Sequence, residues 1–378
     1  MARSRADISE LAGRAAAFAE KFQELRQSLG PVDFEWYPYD TFGAFEHLTE
    51  LLTGPRRVLL DLIGNQPVLD VGCGDGGVSF FLESLGCKVH AIDYGPTNYN
   101  DLQGVKALKA ALNSSVEILE QDLDCGLELP AQRYELVFLL GVLYHLKNPF
   151  LLLETLARRA RYCILSTRVA RYSPDKKTRL ADLPVAYLLA GEANQDPTNY
   201  WILSEAGLRR LMERSGWKIR DYSSFGNTMD SDPATWEGNE RAYCFAESTV
   251  GALTSGQLVK GWHFEPGARG WCWTEQHFSV LFENPPETRA KLSLEFYYPP
   301  VAQEQLGTIT VRASVNGVAL AGKTYARAAK HKYVVRVPAE ALGRKTALVE
   351  FALDKALPPS QADVRQLGII VSHLSLSA

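Results

Sequence analysis

The chain has 378 residues, 46% of them hydrophobic and 22% charged, with a formal net charge of −4 at pH 7. That length holds two domains or three with ample core, and the mild acidity offers no global attraction for nucleic acid. No apolar run is long enough to cross a bilayer, and six scattered cysteines, without metal-ligand spacing or a preceding secretory signal, read as reduced thiols of a cytoplasmic protein.

Ile8, Leu11, Ala15, Phe18, Phe22, Leu25 and Leu29 recur at steps of three and four. This spacing predicts one helix from Asp7 to Leu29, ended by Gly30-Pro31. Its stripe packs into a core or onto a second copy of the chain, so a homodimer is one option. The aromatic segment Phe34 to Phe42 contains Trp36, Tyr37, Tyr39 and Asp40. It is either a hydrophobic staple or a lid, since aromatic rings stack on flat rings and cage cationic methyl groups. Helical spacing resumes from Phe45 to Leu62, with a break at Gly54-Pro55.

Val68-Leu69-Asp70-Val71 then reads as a buried parallel strand, followed by glycines 72, 74, 76 and 77 and a helix start at Val78. Strand, glycine turn and helix open a nucleotide-binding unit in which the backbone approaches a ligand closely. Gly72, Gly74 and Gly77 satisfy G-x-G-x-x-G, which suggests a dinucleotide. Asp70 argues otherwise: a carboxylate at the strand's carboxyl end suits a ligand with a cationic amino group better than a pyrophosphate.

Cys87 to Asp93 is the second strand, ending in an acid about 20 residues beyond the glycine turn, where a carboxylate accepts from ribose hydroxyls. A helix follows from Leu102 to Leu112. Val116 to Asp124 is the third strand, also ending in acid. Glu135 to Leu140 is the fourth, and it delivers Gly141-Val142-Leu143-Tyr144-His145 to the crevice beyond the strands' carboxyl ends. Asn148-Pro149 starts a helix, and Tyr162 to Thr167 is the fifth strand. The loop Arg168 to Arg179 carries Arg168, Arg171, Lys176, Lys177 and Arg179 against Asp175 alone. It is a solvated loop or a clamp for an anionic substrate. Ser204 caps a helix from Glu205 to Arg214, and Trp217 to Asp221 and Arg241 to Ala246 complete the sheet. The polar stretch Gly226 to Glu240 between them is expected to cover the site.

Beyond a linker at 248–256 the period changes to two, through Phe278-Val280-Phe282, Leu292-Leu294-Phe296, Ile309-Val311-Ala313-Val315 and later runs. With the Asn316-Gly317 turn signal this predicts a β-sandwich of jelly-roll type over 257–378. Trp262, Trp271 and Trp273 cluster near its start, as core or as a sugar-binding surface. No Asn/Asp/His cluster accompanies them, which favours the core.

Residues 34–247, with acids ending three strands at Asp70, Asp93 and Asp122, resemble the class I S-adenosylmethionine (SAM) methyltransferases, preceded by an N-terminal helix at 1–33. The resemblance implies a Rossmann-like domain and SAM as cofactor. It assigns Asp70 to the ammonium, Gly72 and Gly74 to the close approach, Asp93 to the ribose, and Asp122 with the Leu123 amide to the adenine edge. Asp124 is the alternative if the register differs. Within the class, Gly141 to His145 and the late Arg241 resemble the tRNA wobble-uridine carboxymethyltransferase group. Members of that group hold a carboxylated SAM with a Lys, this Tyr and a late Arg. Tyr144 and Arg241 match, but Trp36 to Asp40 holds no lysine, so ordinary SAM is expected.

The expected function is methyl transfer to a polar acceptor of small-molecule or glycan type. His145 is the candidate base, and Tyr144, Asp40 and Arg168 are candidate acceptor contacts. A tRNA-modifying enzyme, an NAD-dependent oxidoreductase and a glycan-binding scaffold are the rival expectations.

Overall fold

The computed structural model describes the chain except residues 1–5, 64–65, 132, 192–195, 227–231, 236–239, 251–253, 255, 264–270, 284, 362 and 378. It divides into two compact units, Met1–Leu156 with Ala160–Glu247, and Ala157–Arg159 with Ser248–Ala378.

The first unit begins with α1 (Ile8–Ser28), whose N-cap is Asp7, accepting from the Ser9 amide at 2.9 Å. An acid there satisfies an orphan donor and complements the helix dipole. Its apolar stripe packs Phe18 and Phe22 against Phe42, Phe80 and Phe81, with ring centroids 5.5–6.2 Å apart. Next come α2 (Ala44–Leu51), a 3₁₀ turn at the predicted Gly54-Pro55 break, and α3 (Leu59–Ile63). β1 (Val68–Val71) is fully buried, as an apolar run with neighbours on both sides must be. The order continues with α4 (Gly77–Ser84), β2 (Val89–Asp93), α5 (Gln103–Ala111), β3 (Glu117–Glu120), β4 (Tyr134–Leu140) and α6 (Pro149–Arg159). Then follow β5 (Ala160–Val169), β6 (Ala186–Leu188), β7 (Trp201–Leu203), α7 (Glu205–Arg214), β8 (Trp217–Phe225) and β9 (Glu240–Ser248). Ser204 caps α7 as predicted, its Oγ accepting from the Gly207 amide at 2.9 Å.

The sheet runs β3-β2-β1-β4-β5-β7-β6, with β9 pairing antiparallel to β5 and also joined to β8. The strand order reverses between β1 and β4, and in open α/β sheets the ligand crevice lies beyond the carboxyl ends at that point. The glycine turn after β1 and Gly141 after β4 meet there.

Two placements differ from the sequence reading, the first being β3, which stops at Glu120 short of the expected Asp122 and Asp124. β5 extends to Val169, because its ladder with β9 continues through Arg168↔Arg241 to Val169↔Glu240. Arg168 is therefore a strand residue, only 2% exposed, and not the start of a solvated loop. In the loop beyond it, three of the cations meet carboxylates. Arg171 pairs with Glu240 (2.7 Å), Arg179 with Asp182 (2.8 Å) and Lys177 with Asp175 (3.7 Å).

Among the described residues from Ser248 onward the second unit is β except for one short helix and a 3₁₀ turn at Ala339–Ala341. Its strands are β10 (Gln257–His263), β11 (Cys272–Glu283), β12 (Ala290–Tyr298), β13 (Ile309–Val315), β14 (Val318–Ala319), β15 (Lys323–Tyr325), β16 (Ala329–Val337), β17 (Thr346–Leu353) and β18 (Ile370–Ser377). The strands named in the order β14-β13-β17-β11-β18-β12-β16 form a continuous path with antiparallel ladders. β11 switches partners along its length, meeting β18 at Cys272 and Trp273 and β17 from His277 onward. The sheet thereby curls over its own core, where Phe278 stacks on Phe351 at 4.8 Å and Tyr333 of β16 meets Phe351 edge-on at 6.5 Å. The period-two pattern predicted this inward alternation. It missed α8 (Pro300–Leu306), about two turns entered through Pro299-Pro300. Trp262 packs edge-on against Phe278 at 5.0 Å, whereas Trp273 is half-buried and Trp271 exposed.

Candidate functional site

A cavity of about 390 Å³ opens at the β1/β4 crevice, lined in part by Asp70, Gly72, Gly141, Tyr144, His145 and Arg241. Gly72 has φ +74°, and a Cβ there would lie 2.3 Å from Val142 Cγ2. Only glycine fits, because the backbone must bend left-handed beneath the loop that follows β4. A Cβ on Gly74 would meet the ring of Tyr37 at 3.4 Å, so the aromatic segment closes over the glycine turn.

Asp70 is 3% exposed, and Ser79 Oγ donates to its Oδ2 at 2.6 Å. Burial pushes its carboxyl up to about 6, Ser79 pulls it down, and the charge of Asp93 raises it. Asp93 ends β2 half-buried, accepting from the Gly74 amide (2.8 Å), the Tyr94 amide (2.8 Å) and Asn98 Nδ2 (3.1 Å). Its carboxyl is also raised, by burial first, with those donors opposing. Two acids thus stand close to each other around a glycine turn, an arrangement that a cationic ligand relieves.

Asp122 lies just past β3, and its Oδ1 accepts from the Asp124 amide at 2.9 Å. Leu123 follows, buried. Asp124 accepts from the amides of Lys147 (3.0 Å) and Asn148 (2.7 Å), so its carboxylate ties the β4 loop down. Asp40 accepts from the Phe42 (2.8 Å) and Gly43 (3.1 Å) amides, which makes it the turn-former ahead of α2 as well as a cavity residue.

Tyr144 and His145 sit in a 3₁₀ turn after β4, their rings 4.4 Å apart. Arg241 Nη2 donates to Tyr144 Oη at 3.3 Å. His145 Nδ1 lies 2.8 Å from Thr198 Oγ1, which lies 2.6 Å from Asp196 Oδ1. A carboxylate only accepts, so the single hydroxyl proton of Thr198 goes to Asp196, and Thr198 then accepts from His145 Nδ1–H. That network assigns the lone pair to Nε2. Burial holds the imidazole below its ordinary value, with Asp196 opposing. The neutral, base-competent form therefore prevails near neutrality.

Sequence reasoning did not anticipate Asp75. It is 3% exposed and accepts from Arg26 Nη2, the Tyr37 amide and Asn100 Nδ2, each at 2.8 Å. One carboxylate of the glycine turn therefore holds α1, the aromatic segment and the approach to α5. The segment is lid and staple at once, since Phe42 packs into the core while Tyr37 caps Gly74. On its outer side a second cavity of about 620 Å³ lies against α1. Of the Gly226 to Glu240 stretch expected to cover the site, residues 227–231 and 236–239 lie outside the described residues. Thr235 is described, and its carbonyl accepts from Arg168 Nη2 at 2.6 Å.

Residues 44–222 match the model of a family described as a methyltransferase domain. The acids and glycine turn at the switch point of this sheet agree with that match, and the protein is an S-adenosylmethionine-dependent methyltransferase with SAM as its cofactor. This sets aside the NAD-dependent oxidoreductase that the G-x-G-x-x-G spacing also fits. No curated protein matches the chain. Among solved structures it is similar to the N-terminal domain of EvdMO1 with SAH bound, at 16% identity and TM-score 0.38, covering 61% of this chain and 96% of that one. It is similar to magnesium protoporphyrin IX methyltransferase of Synechocystis PCC 6803 with bound SAM, at 19% identity and TM-score 0.33, covering 50% and 74%. A third is the O-methyltransferase from a trans-AT PKS multienzyme of Brevibacillus brevis with S-adenosyl-L-homocysteine, at 13% identity and TM-score 0.38, covering 48% and 66%. Among the described residues, no helix is long and apolar enough to cross a membrane.

Proposed function

We propose that this enzyme methylates a hydroxyl of a small polar acceptor of sugar or glycan-precursor type, with His145 as general base. The observation that carries the reading is the His145–Thr198–Asp196 chain, which leaves Nε2 unprotonated on a residue lining the cavity. SAM supplies a methyl group activated on a sulfonium. Asp70 takes its ammonium, Gly72 and Gly74 give room for its backbone, Asp93 accepts from its ribose hydroxyls, and Asp122 with the Leu123 amide faces the adenine edge. Tyr144 and Asp40 are acceptor contacts. The transfer is an in-line displacement, so most of the work is alignment of the two reacting atoms within about 3–3.5 Å and exclusion of water. His145 removes the hydroxyl proton as the new bond forms, and Asp196 through Thr198 stabilises the resulting imidazolium.

The test is turnover of SAM against a panel of sugars and sugar nucleotides. His145→Ala should lower kcat by about 10²–10⁴ with SAM affinity intact. The wild-type profile should lose activity only below the ordinary imidazole range, because burial lowers the His145 pKa. Unchanged kcat in His145→Ala would remove the base. The Arg241–Tyr144 contact favours a second reading, a carboxylated SAM used by an enzyme resembling the tRNA wobble-uridine group. Tighter binding of the carboxylated analogue than of SAM would select it.

A further inference from the structure

We propose that Arg168 and Arg241 form an anion site beside the cavity, and that the acceptor carries a carboxylate or phosphate that lodges between them. The inference rests on the methyltransferase reading and adds the charge of its substrate. Arg168 and Arg241 are Cα partners in the β5–β9 ladder, so their side chains share a face of the sheet. The pair two residues back on that face, Ser166 and Tyr243, lines the cavity, as does Arg241 itself. Like charges directly opposite on neighbouring strands repel. Elsewhere in this unit buried or half-buried arginines sit on carboxylates: Arg26 on Asp75, Arg56 on Asp221, Arg171 on Glu240 and Arg220 on Glu247.

This pair differs. Arg168 is 2% exposed, and among the described residues its guanidinium has the Thr235 carbonyl on Nη2 and no hydrogen-bond partner on Nε or Nη1. Asp232 attracts it from farther away. Arg241 faces the phenols of Tyr144, Tyr243 and Tyr37 instead of an acid. A desolvated guanidinium without a carboxylate on its donors is costly, and a forked donor set matches the two oxygens of a carboxylate or phosphate. One anion supplies the missing charge to both arginines, and the Tyr144 hydroxyl donates to it as well. It also fixes the acceptor in the cavity that His145 lines, which gives recognition and alignment through one group.

The experiment saturates the protein with S-adenosylhomocysteine and titrates it with sodium phosphate, sodium glucuronate and glucose at constant ionic strength. At least one anion should bind saturably and glucose should not; the preference between phosphate and glucuronate names the source of the charge. Arg168→Gln and Arg241→Gln should each weaken the anion about tenfold or more, with affinity for S-adenosylhomocysteine within about twofold. Arg241→Lys, which keeps the charge, should retain part of the response and serves if a glutamine variant fails to fold. Absence of anion binding, equal binding by both glutamine variants, or loss of cofactor affinity with anion binding intact would each overturn the proposal. Failure of wild type to bind S-adenosylhomocysteine would instead sink the cofactor assignment beneath it.

Discussion

Asp70→Asn should make the ligand-free protein more stable at alkaline pH while it loses SAM. The Asp70 carboxyl is buried on β1, with Ser79 Oγ as its one side-chain donor among the described residues. Its pKa rises from an ordinary 3.8 to about 6, chiefly through desolvation. A group whose folded pKa lies above its unfolded one contributes stability that is full below the unfolded value and lost as pH climbs through the folded one. At about 1.4 kcal/mol per pH unit, keeping Asp70 ionised above pH 6 costs the fold about 3 kcal/mol. Asparagine keeps the shape and an acceptor for Ser79 without the charge. In urea denaturation the variant should match wild type near pH 4 and exceed it by up to about 3 kcal/mol near pH 8, less whatever its unpartnered amide costs. Saturating SAM, whose ammonium compensates the carboxylate, should stabilise wild type progressively more as pH rises through 6 and the variant hardly at all. A variant that shows no pH-dependent gain, or that binds SAM as wild type does, would refute the argument.

Asp75→Ala should cost about 3–5 kcal/mol in urea denaturation, since it strands a largely buried Arg26 and the Tyr37 amide together. SAM affinity should fall with it as the aromatic segment loosens; SAM affinity equal to wild type would mean the segment is held by Phe42 alone. Gly72→Ala puts a Cβ against Val142 at a φ of +74°, for an expected loss of about 1–3 kcal/mol and of SAM binding in calorimetric titration. In the second unit, Phe278→Ala removes a ring stacked on Phe351 and touching Trp262. It should cost that unit about 3–5 kcal/mol in scanning calorimetry and leave SAM affinity unchanged.

What was legible in the sequence was local. Asp70, Gly72 and Gly74 follow one another within a strand and a turn, and the cap Ser204 stands directly before its helix, so spacing alone exposed them. The alternation in β13 and β17 declared a β-rich unit with one buried face for the same reason, since inward and outward positions are set by neighbours two residues away. That the strands join one curled sheet instead of the expected sandwich depended on long-range pairing. What escaped depended on distant partners. Arg168 became a buried strand residue because a segment more than 70 residues later extended the ladder. His145 gained its relay from Thr198, 53 residues away, and Asp75 its cation from Arg26, 49 residues away. Charge runs mislead in the same way. The basic stretch after β5 looked less opposed than it is because the two acids that meet Arg171, Glu240 and Glu205, lie elsewhere in the chain.

The tether at Asp75 also bears on where this enzyme begins. The family match starts at residue 44, whereas Arg26 and Tyr37, the groups that Asp75 holds, lie upstream of it. A fragment cut at the edge of the match would keep the glycine turn but leave a buried carboxylate without its cation. It would also lay Phe80 and Phe81 open to water where α1 and Phe42 now cover them. The stretch that sequence comparison inherits as a unit is therefore shorter than the stretch that must fold as one.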